Sequence, residues 1–179
     1  MKSAKIKPLA ALERLREDLR KQGKTVVFTN GCFDLVHAGH IRLFEKAKSC
    51  GDVLIVALNS DSSVRKIKGP ARPLFPLSER FEVLAAIDVI DYLTSFSEET
   101  PRKIISALVP DVLVKGGDWG AGEIVGRAEV EAAGGKVVRA PYLRGHSSTN
   151  LIEKIIENSR KRRPAGRPGK RRGGEGVRA

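Results

Sequence analysis

Short runs of β-branched and apolar residues alternate with amphipathic segments along most of this chain, and this alternation constrains the fold more than any other feature. We predict strands over 25–30, 52–59, 89–96, 111–117 and 136–140. We predict helices over 8–23, 39–51, 78–87, 100–108, 123–133 and 147–158. Strands that are apolar on both faces, alternating with helices, indicate a parallel sheet covered on both sides. The predicted fold class is α/β, a single Rossmann-like doubly wound domain with a five-stranded parallel sheet.

The unusual residues of the chain follow the predicted strands. Polar and glycine-rich segments come after the first, second, fourth and fifth strands, over 29–40, 60–73, 115–119 and 142–149. In doubly wound sheets ligands bind beyond the carboxyl ends of the strands, near the switch in strand order. We therefore expect one ligand site at that edge. No GxGxxG follows the first strand and no GxxxxGK[ST] is present, which argues against a dinucleotide cofactor and against a P-loop kinase.

Most of the positive charge lies at the C-terminus. The chain has a formal net charge of +12, but residues 160–179 hold nine Lys/Arg against one acidic residue, Glu175. This segment is rich in Gly and Pro and almost free of apolar residues, so burial cannot offset the entropy of ordering it. We predict an N-terminal helix over 1–23, a domain over 24–158 and a disordered basic tail over 159–179. The tail is either a solvated extension or a non-specific contact for polyanions.

The chain lacks the sequence marks of a secreted or membrane protein. The two cysteines, Cys32 and Cys50, are too few for a disulfide framework, and no CxxC pair is present. The N-terminus has no apolar core followed by a small-residue cleavage site. No run reaches the roughly 20 apolar residues that cross a bilayer. We expect a cytoplasmic protein without a membrane span.

The stretch "TNGCFDLVHAGH" places His37 and His40 where the first predicted strand leads into a helix. On the residues alone, three interpretations of this pair stay open. Spaced three apart, both imidazoles can face one side and bind phosphate beside Gly39 and the helix N-terminus. Alternatively, they cap the turn and pack. They could also hold a metal together with Cys32 or His146, although the spacing of those ligands is irregular.

"GCFDLVHAGH" over 31–40 resembles the G-x-F-D-x-x-H-x-G-H signature of the cytidylyltransferase-like nucleotidyltransferase superfamily. Four further segments resemble one branch, the D-glycero-β-D-manno-heptose 1-phosphate adenylyltransferases, which occur alone or fused behind a sugar kinase. These are "KGPARPLFPLSERFEVLAAI" (68–87), "FSEETPRKII" (96–105), "DVLVKGGDW" (111–119) and "GHSSTNLIEKI" (145–155). The resemblance covers about residues 24–157. It suggests the stand-alone form, with the sugar phosphate supplied by a separate protein.

The resemblance implies roles for the residues that match the family motifs. His37 and His40 are expected to donate to the triphosphate, and Lys68 on a mobile basic loop over 65–73 is the third residue expected to act in catalysis. The residues expected to bind the nucleotide are Cys32 and Phe33 through their backbone N–H groups, Gly39, Ser147, Ser148 and Thr149.

Four further residues are expected to bind the substrates: Asp34, Lys66, Lys115 and Asp118. Lys115 is expected to meet the acceptor phosphate, and Asp118 a sugar hydroxyl or a metal. Asp34 either organises the turn or transfers a proton, and we favour the first role. We expect Arg80 to be structural.

The implied reaction is attack of a sugar 1-phosphate oxygen on the α-phosphorus of ATP, with release of pyrophosphate. Because the nucleophile is already an anion, positioning and electrostatic stabilisation should carry the catalysis, with Mg²⁺ or a similar cation bridging phosphate oxygens. The alternatives are a cytidylyltransferase for glycerol 3-phosphate or a similar acceptor, an FMN adenylyltransferase, and a non-catalytic nucleotide- or nucleic-acid-binding module. "YLRGHSST" lacks the arginine and glutamate of the cytidylyltransferase pattern R-T-E-G-I-S-T-T, which favours the sugar branch. The resemblance also implies a homodimer.

Overall fold

Five parallel strands form one sheet with helices on both faces. The structure is a computed structural model and describes residues 4–117, 124–140 and 148–161. In this part of the chain the strands are β1 (Val26–Gly31), β2 (Val53–Asn59), β3 (Tyr92–Phe96), β4 (Val112–Gly116) and β5 (Lys136–Ala140). The helices are α1 (Leu9–Lys21), α2 (Ala38–Lys48), α3 (Asp61–Lys68), α4 (Leu77–Ala85), α5 (Arg102–Leu108), α6 (Arg127–Ala132) and α7 (Ser148–Lys161). The predicted α/β class with a five-stranded parallel sheet is confirmed.

The strand order is β3-β2-β1-β4-β5, with β1 at the centre. The chain runs outward from β1 through β2 to β3, then returns to place β4 on the other side of β1. The order therefore reverses between β1 and β4. Loops that leave two such strands in opposite directions open a crevice at their carboxyl ends, where ligands bind in doubly wound sheets. The histidine turn follows β1 at this crevice, and Lys115 lies near the end of β4.

Each face of the sheet is covered by its own apolar cluster. One cluster joins strand residues to α1, α5 and α6 and includes Leu12, Phe28, Ile105, Leu113 and Val130. The other joins the opposite strand face to α2 and α4 and includes Val27, Phe44, Val56, Leu84 and Val114. Successive residues of a strand point to opposite faces, so both sets of alternating positions are buried. This explains why the strands read as continuous apolar runs.

Helix α1 packs against the sheet through its apolar side. Leu12 is fully buried, and Arg16 forms an ion pair of 2.7 Å with Asp111 at the start of β4. The other carboxylate oxygen of Asp111 accepts a hydrogen bond from the backbone N–H of Val26 at 2.7 Å. One aspartate therefore ties the N-terminal helix to the starts of two neighbouring strands.

The prediction of a loop over 65–73 is wrong for its first half, because α3 continues to Lys68. Ser60 caps this helix, with its side chain accepting from the Ser63 N–H at 3.3 Å, and Val64 is buried. The helix ends at Gly69, whose φ of 96° suits glycine. These cap signals are present in the sequence, but a helix of eight residues has too few apolar positions to show a clear period.

Helices α4, α5 and α6 begin at positions that differ from the predictions, and α6 begins at Arg127, four residues after its predicted start. Helix α4 begins after Pro76 rather than at Ser78, and α5 begins after Pro101 rather than at Thr100. In both cases proline occupies the N-cap. No helix hydrogen bond is lost there, because an N–H at this position has no acceptor within the helix. Strand β3 begins at Tyr92, three residues later than predicted.

The contacts divide the chain into two units, Met1–Ser148 and Thr149–Ala179. The described part of the second unit is helical as far as Lys161. Residues 162–179, which form most of the predicted basic tail, lie outside the described residues, so the disorder of the tail stays a prediction. None of the helices in the described part of the chain combines the length and the apolar character that crossing a membrane requires.

Candidate active site

The turn between β1 and α2 is built around the ring of Phe33. Phe33 has a φ of 48°, in the left-handed region, and its ring packs against His40 and Phe44 at centroid distances of 5.3 and 5.1 Å. The same ring lies over Gly31, where a Cβ atom would come within 2.9 Å of it. The G-x-F pattern is therefore a packing requirement, because only glycine leaves room for the phenyl ring that shapes the turn.

His37 and His40 stack on each other at the N-terminus of α2. Their ring centroids are 3.9 Å apart and the rings are inclined by 24°. His37 is the N-cap residue, and its Nδ1 accepts a hydrogen bond from the N–H of Gly39 at 3.1 Å. Because Nδ1 is an acceptor, a neutral His37 carries its proton on Nε2. The capping interpretation therefore describes a real contact, and this contact orients the ring.

His40 is held as a neutral imidazole at pH 7. Burial lowers its pKa to about 4, the neighbouring His37 acts in the same direction, and a hydrogen bond to the backbone of Leu35 opposes the shift. Its Nδ1 is buried and has no hydrogen-bond partner within the described residues. Leaving a buried polar atom without a partner is costly.

Asp34 organises the loop that follows α3. Its buried carboxylate accepts hydrogen bonds from the N–H groups of Leu74 at 2.8 Å and Phe75 at 3.0 Å, and from Arg72 Nε at 2.6 Å. Burial alone would raise the pKa of Asp34, but these hydrogen bonds outweigh it and hold the pKa below its usual value. With its oxygens occupied in this way, the contacts favour the turn-organising role over substrate contact.

Arg80 is fully buried and bonds to three backbone carbonyl groups. Its side chain is 1% exposed and pairs with Asp61 at 2.7 Å. It also donates to the carbonyl oxygens of Cys32, Asn59 and Phe75, at 2.6, 2.9 and 3.1 Å respectively. One guanidinium thus joins the ends of β1 and β2, the start of α3 and the following loop, as expected for a structural role.

Lys66 and Lys68 lie on helix α3, not on the loop where they were predicted. Both are exposed, and Lys66 lies 3.9 Å from Glu99, which is exposed as well. Burial raises the pKa of the Cys32 thiol, and the charge of Lys68 is foremost among the cations that oppose this rise. Lys68 is therefore near enough to the histidine turn for its charge to act there.

Lys115 lies beside Asn30 where β4 and β1 end. Its Nζ donates to Oδ1 of Asn30, and burial lowers its pKa to about 8. Phe28 pairs with Leu113 in the strand register, so two residues further on Asn30 and Lys115 share one row of the sheet. The amine therefore lies at the point where the strand order reverses.

The structure describes only some of the remaining predicted site residues. Asp118 and Ser147 lie outside the described residues, so their roles stay predictions. Ser148 Oγ donates to the carbonyl oxygen of Leu35 at 3.1 Å. The backbone of Leu35 also interacts with His40. Thr149 is exposed and is the first residue of the second unit.

The sequence did not point to two residues that shape the site, Asn30 and Arg72, although Arg72 was seen as part of a basic segment. A polar residue near the end of an apolar strand is the signal that could have drawn attention to Asn30. The partners of these residues lie 85 and 38 positions away in the chain, and neither pairing has a local signature.

The described residues do not build a metal cage. Among them, no three His, Cys, Asp or Glu side chains come together in a group that could hold a metal ion. The carboxylate of the motif, Asp34, is already bonded to Arg72 and to backbone N–H groups. Mg²⁺ commonly reaches enzyme sites with the phosphates of a substrate and keeps several of its waters. Such binding would not need a preformed protein cage.

The sheet order, the crevice at its reversal and the stacked histidines at a helix N-terminus together define a Rossmann-like nucleotide-binding domain. The chain belongs to the cytidylyltransferase-like family, whose model matches residues 28–154. This match confirms the family that the histidine motif indicated.

Curated relatives with the name "Bifunctional protein HldE" resemble most of the chain. The protein from Geobacter metallireducens is 51% identical over 153 residues, covering 86% of this chain and 31% of the relative. The one from Geobacter sulfurreducens is 50% identical over 154 residues, with the same coverage. The chain thus spans about a third of the length of the curated relatives it matches. Together with the family match, these relatives make the chain a nucleotidyltransferase.

Two solved structures share the fold. The lipopolysaccharide core biosynthesis protein from Thermoplasma volcanium aligns with a TM-score of 0.59 and 28% identity, covering 68% of this chain and 99% of that protein. The pantoate-beta-alanine ligase from Francisella tularensis aligns with a TM-score of 0.57 and 18% identity, covering 85% of this chain and 78% of that one. The second likeness, at this low identity, concerns the fold alone.

Proposed function

We propose that this protein transfers the adenylyl group of ATP to a sugar 1-phosphate, D-glycero-β-D-manno-heptose 1-phosphate or a close analogue. The products are the ADP-sugar and pyrophosphate. The observation that carries the proposal is the stacked pair of His37 and His40 at the N-terminus of α2, beside the crevice of the sheet. The similarity to the proteins named HldE and the match of the segments 68–87, 96–105 and 111–119 to the heptose branch support this choice of acceptor.

The proposed chemistry is a direct in-line displacement. An oxygen of the sugar phosphate forms a bond to the α-phosphorus of ATP while the bond from this phosphorus to the bridging oxygen breaks. Pyrophosphate leaves with the electron pair of that bond. His37, His40 and Lys68 stabilise the charge on the triphosphate oxygens, and the N-terminus of α2 adds its partial positive charge. Mg²⁺ would supply further neutralisation of charge if it entered the site with the nucleotide.

The proposal extends to the other residues that the sequence motifs indicate. We propose that the backbone of Cys32 and Phe33, with Gly39, lies along the triphosphate. The hydroxyl groups proposed to bind the nucleotide are those of Ser147, Ser148 and Thr149. Lys66, Lys115 and Asp118 are proposed to bind the acceptor, whereas the contacts of Asp34 leave it the task of holding the loop.

A matrix of nucleotides and acceptors tests the proposal. The purified protein is incubated with ATP, CTP, GTP or UTP and with heptose 1-phosphate, glycerol 3-phosphate or FMN, and pyrophosphate release is measured. We expect turnover with ATP and heptose 1-phosphate. Preferential turnover of CTP with glycerol 3-phosphate, or of ATP with FMN, would select one of the alternative enzymes. Nucleotide binding without turnover for any pair would select the binding module.

We also propose a cytoplasmic location, which fits a reaction that consumes ATP. Homodimer formation and contact of the basic tail with polyanions have no support in the described residues and stay predictions. Truncation after Asn158 tests the tail, because loss of polyanion binding with unchanged turnover would make it an accessory segment.

A further inference from the structure

Within the described residues, the contact between Lys115 and Asn30 leaves the charge of the lysine unbalanced. The acceptor of its hydrogen bond is a neutral amide oxygen. Burial lowers the pKa of Lys115, and its amine forms no ion pair with a carboxylate of the described residues. A partly buried ammonium group without a counter-ion is unfavourable. A ligand that brings a negative charge next to Lys115 would account for the buried ammonium group.

None of the described carboxylates forms an ion pair with Lys115. Strand β1 carries no charged residue, and the residue opposite Lys115 in β5 is Arg139, a second cation that is exposed. The carboxylates of α6 pair with arginines, Glu129 with Arg102 at 3.0 Å and Glu131 with Arg127 at 2.9 Å, and the second oxygen of Glu129 is buried without a partner in the described residues. Helix α2 packs on the other face, where Leu43 lies against Gly116.

We propose that Asn30 and Lys115 form an anion-binding pair that selects the phosphate of the acceptor. The amide of Asn30 holds the amine in position without neutralising it, so the acceptor phosphate supplies the missing counter-charge. This inference rests on the proposed function. It adds Asn30 as a positioning residue that determines specificity, and it makes the charge of the acceptor, rather than the sugar, the property recognised at this point.

The pair has a consequence for the pH dependence of acceptor binding. The lysine must carry its proton to bind a phosphate, and in the free protein it loses that proton as pH rises through about 8. Acceptor binding above this pH therefore takes up a proton. The KM for the acceptor should rise about tenfold between pH 7 and pH 9. The KM for ATP should not follow this rise.

Asn30→Asp is the sharpest variant, because it keeps the shape of the side chain and adds a charge. The new carboxylate pairs with Lys115 inside the protein, so the acceptor phosphate meets a neutralised site. We expect the acceptor KM to rise at least about tenfold at pH 7, with the ATP KM within about twofold of wild type. Asn30→Ala removes the hydrogen bond to the Lys115 amine but leaves its charge, so the acceptor KM should rise less. Asn158→Asp, at an exposed position of α7, is the matched control.

Calorimetry measures the proton directly. Heptose 1-phosphate is titrated into the full chain at pH 8.5 in two buffers with different heats of ionisation. The wild type should take up about three quarters of a proton per acceptor bound, and Lys115→Met should take up none. Circular dichroism of each variant checks that it is folded.

The outcomes separate this inference from the proposed function. Wild-type turnover together with an acceptor KM of Asn30→Asp within twofold of wild type overturns the inference, as does equal proton uptake by Lys115→Met. Absence of wild-type turnover rejects the proposed function instead. Inorganic phosphate is then titrated against wild type and Asn30→Asp. Binding that is at least tenfold weaker to the variant supports the pair, and equal binding overturns it.

Discussion

His40 is the residue in which packing and chemistry meet. Its ring fills space between Phe33 and His37, and the burial that results lowers its pKa to about 4. The same packing leaves Nδ1 buried without a partner in the described residues. The capping interpretation does not exclude phosphate binding by the histidines, because the contacts that hold the rings also place them at the N-terminus of α2.

The first prediction concerns catalysis by His40. We expect His40→Ala to lower kcat by about 10²- to 10³-fold, because its contact with phosphate strengthens as charge develops in the transition state. The dissociation constant for ATP should change by less than about threefold. Pyrophosphate release and equilibrium ATP binding, measured on the same preparation, check this. Equal losses in kcat and in ATP affinity would contradict the assigned role.

The second prediction concerns the stability of the protein in acid. His40 has a pKa of about 4 in the folded protein, below the ordinary value of 6.5. Between these values the unfolded chain binds more protons than the folded one, so the free energy of unfolding falls as pH is lowered. Going from pH 7 to pH 5 should cost about 2 kcal/mol through this residue. Urea unfolding at both pH values compares wild type with His40→Gln, in which the loss should be smaller by that amount. Identical pH dependence would exclude His40 as its source.

At the scale of elements, the loop between α3 and α4 is held by a side chain from a different part of the chain. Asp34 comes from the turn after β1, yet it accepts hydrogen bonds from Leu74, Phe75 and Arg72. The segment predicted to be a mobile basic loop is thus a short helix followed by a tethered loop. The tether fixes the loop directly after Lys68 beside the histidine turn.

The third prediction tests this tether. Asp34→Asn replaces a carboxylate oxygen by an NH₂ group that faces N–H donors, and we expect the protein to lose about 2–4 kcal/mol of unfolding free energy. Hydrogen exchange of the Leu74 and Phe75 amides should accelerate before that of the strands. Asp88→Asn, an exposed change, is the control. Unchanged exchange at both amides would show that the tether is dispensable.

At the scale of the whole first unit, α1 is part of the architecture and not an appendage. Its leucines enter the apolar cluster on one face of the sheet, and Arg16 reaches Asp111 at the start of β4. Asp111 also accepts from the Val26 N–H, so the helix, β1 and β4 share one carboxylate. Asp111 thereby joins β1 and β4 at their N-terminal ends, which lie at the edge of the sheet away from the crevice.

The fourth prediction tests this connection. We expect Asp111→Asn to lower the unfolding free energy by about 1–2 kcal/mol, because it removes the charge that Arg16 and the Val26 N–H both contact. Asp18→Asn is the matched control, since Asp18 and its partner Lys21 are exposed and 3.9 Å apart. That control should change stability by less than about 0.5 kcal/mol. Denaturant unfolding compares the two variants, and equal effects would remove any special role of Asp111.

Features that depend on neighbours in the chain were predictable. The apolar runs indicated the parallel sheet because buried strands need apolar residues on both faces, and the turn motif marked the histidines. Helix α3 was missed because eight residues give too little periodicity, although Ser60 and Gly69 mark its ends. Prolines displaced the expected starts of α4 and α5, since Pro76 and Pro101 take the cap position.

By itself, the sequence determined the fold class and the histidine turn at the end of the first strand. Only the tertiary structure decided which side chains meet there. It placed Lys115 against Asn30, 85 positions away, Arg80 against the Cys32 carbonyl, 48 positions away, and Asp34 against Leu74, 40 positions away. The physical reason is that helix and strand patterns are local, whereas hydrogen bonds at the crevice join residues that only the crossing of strands and helices brings together.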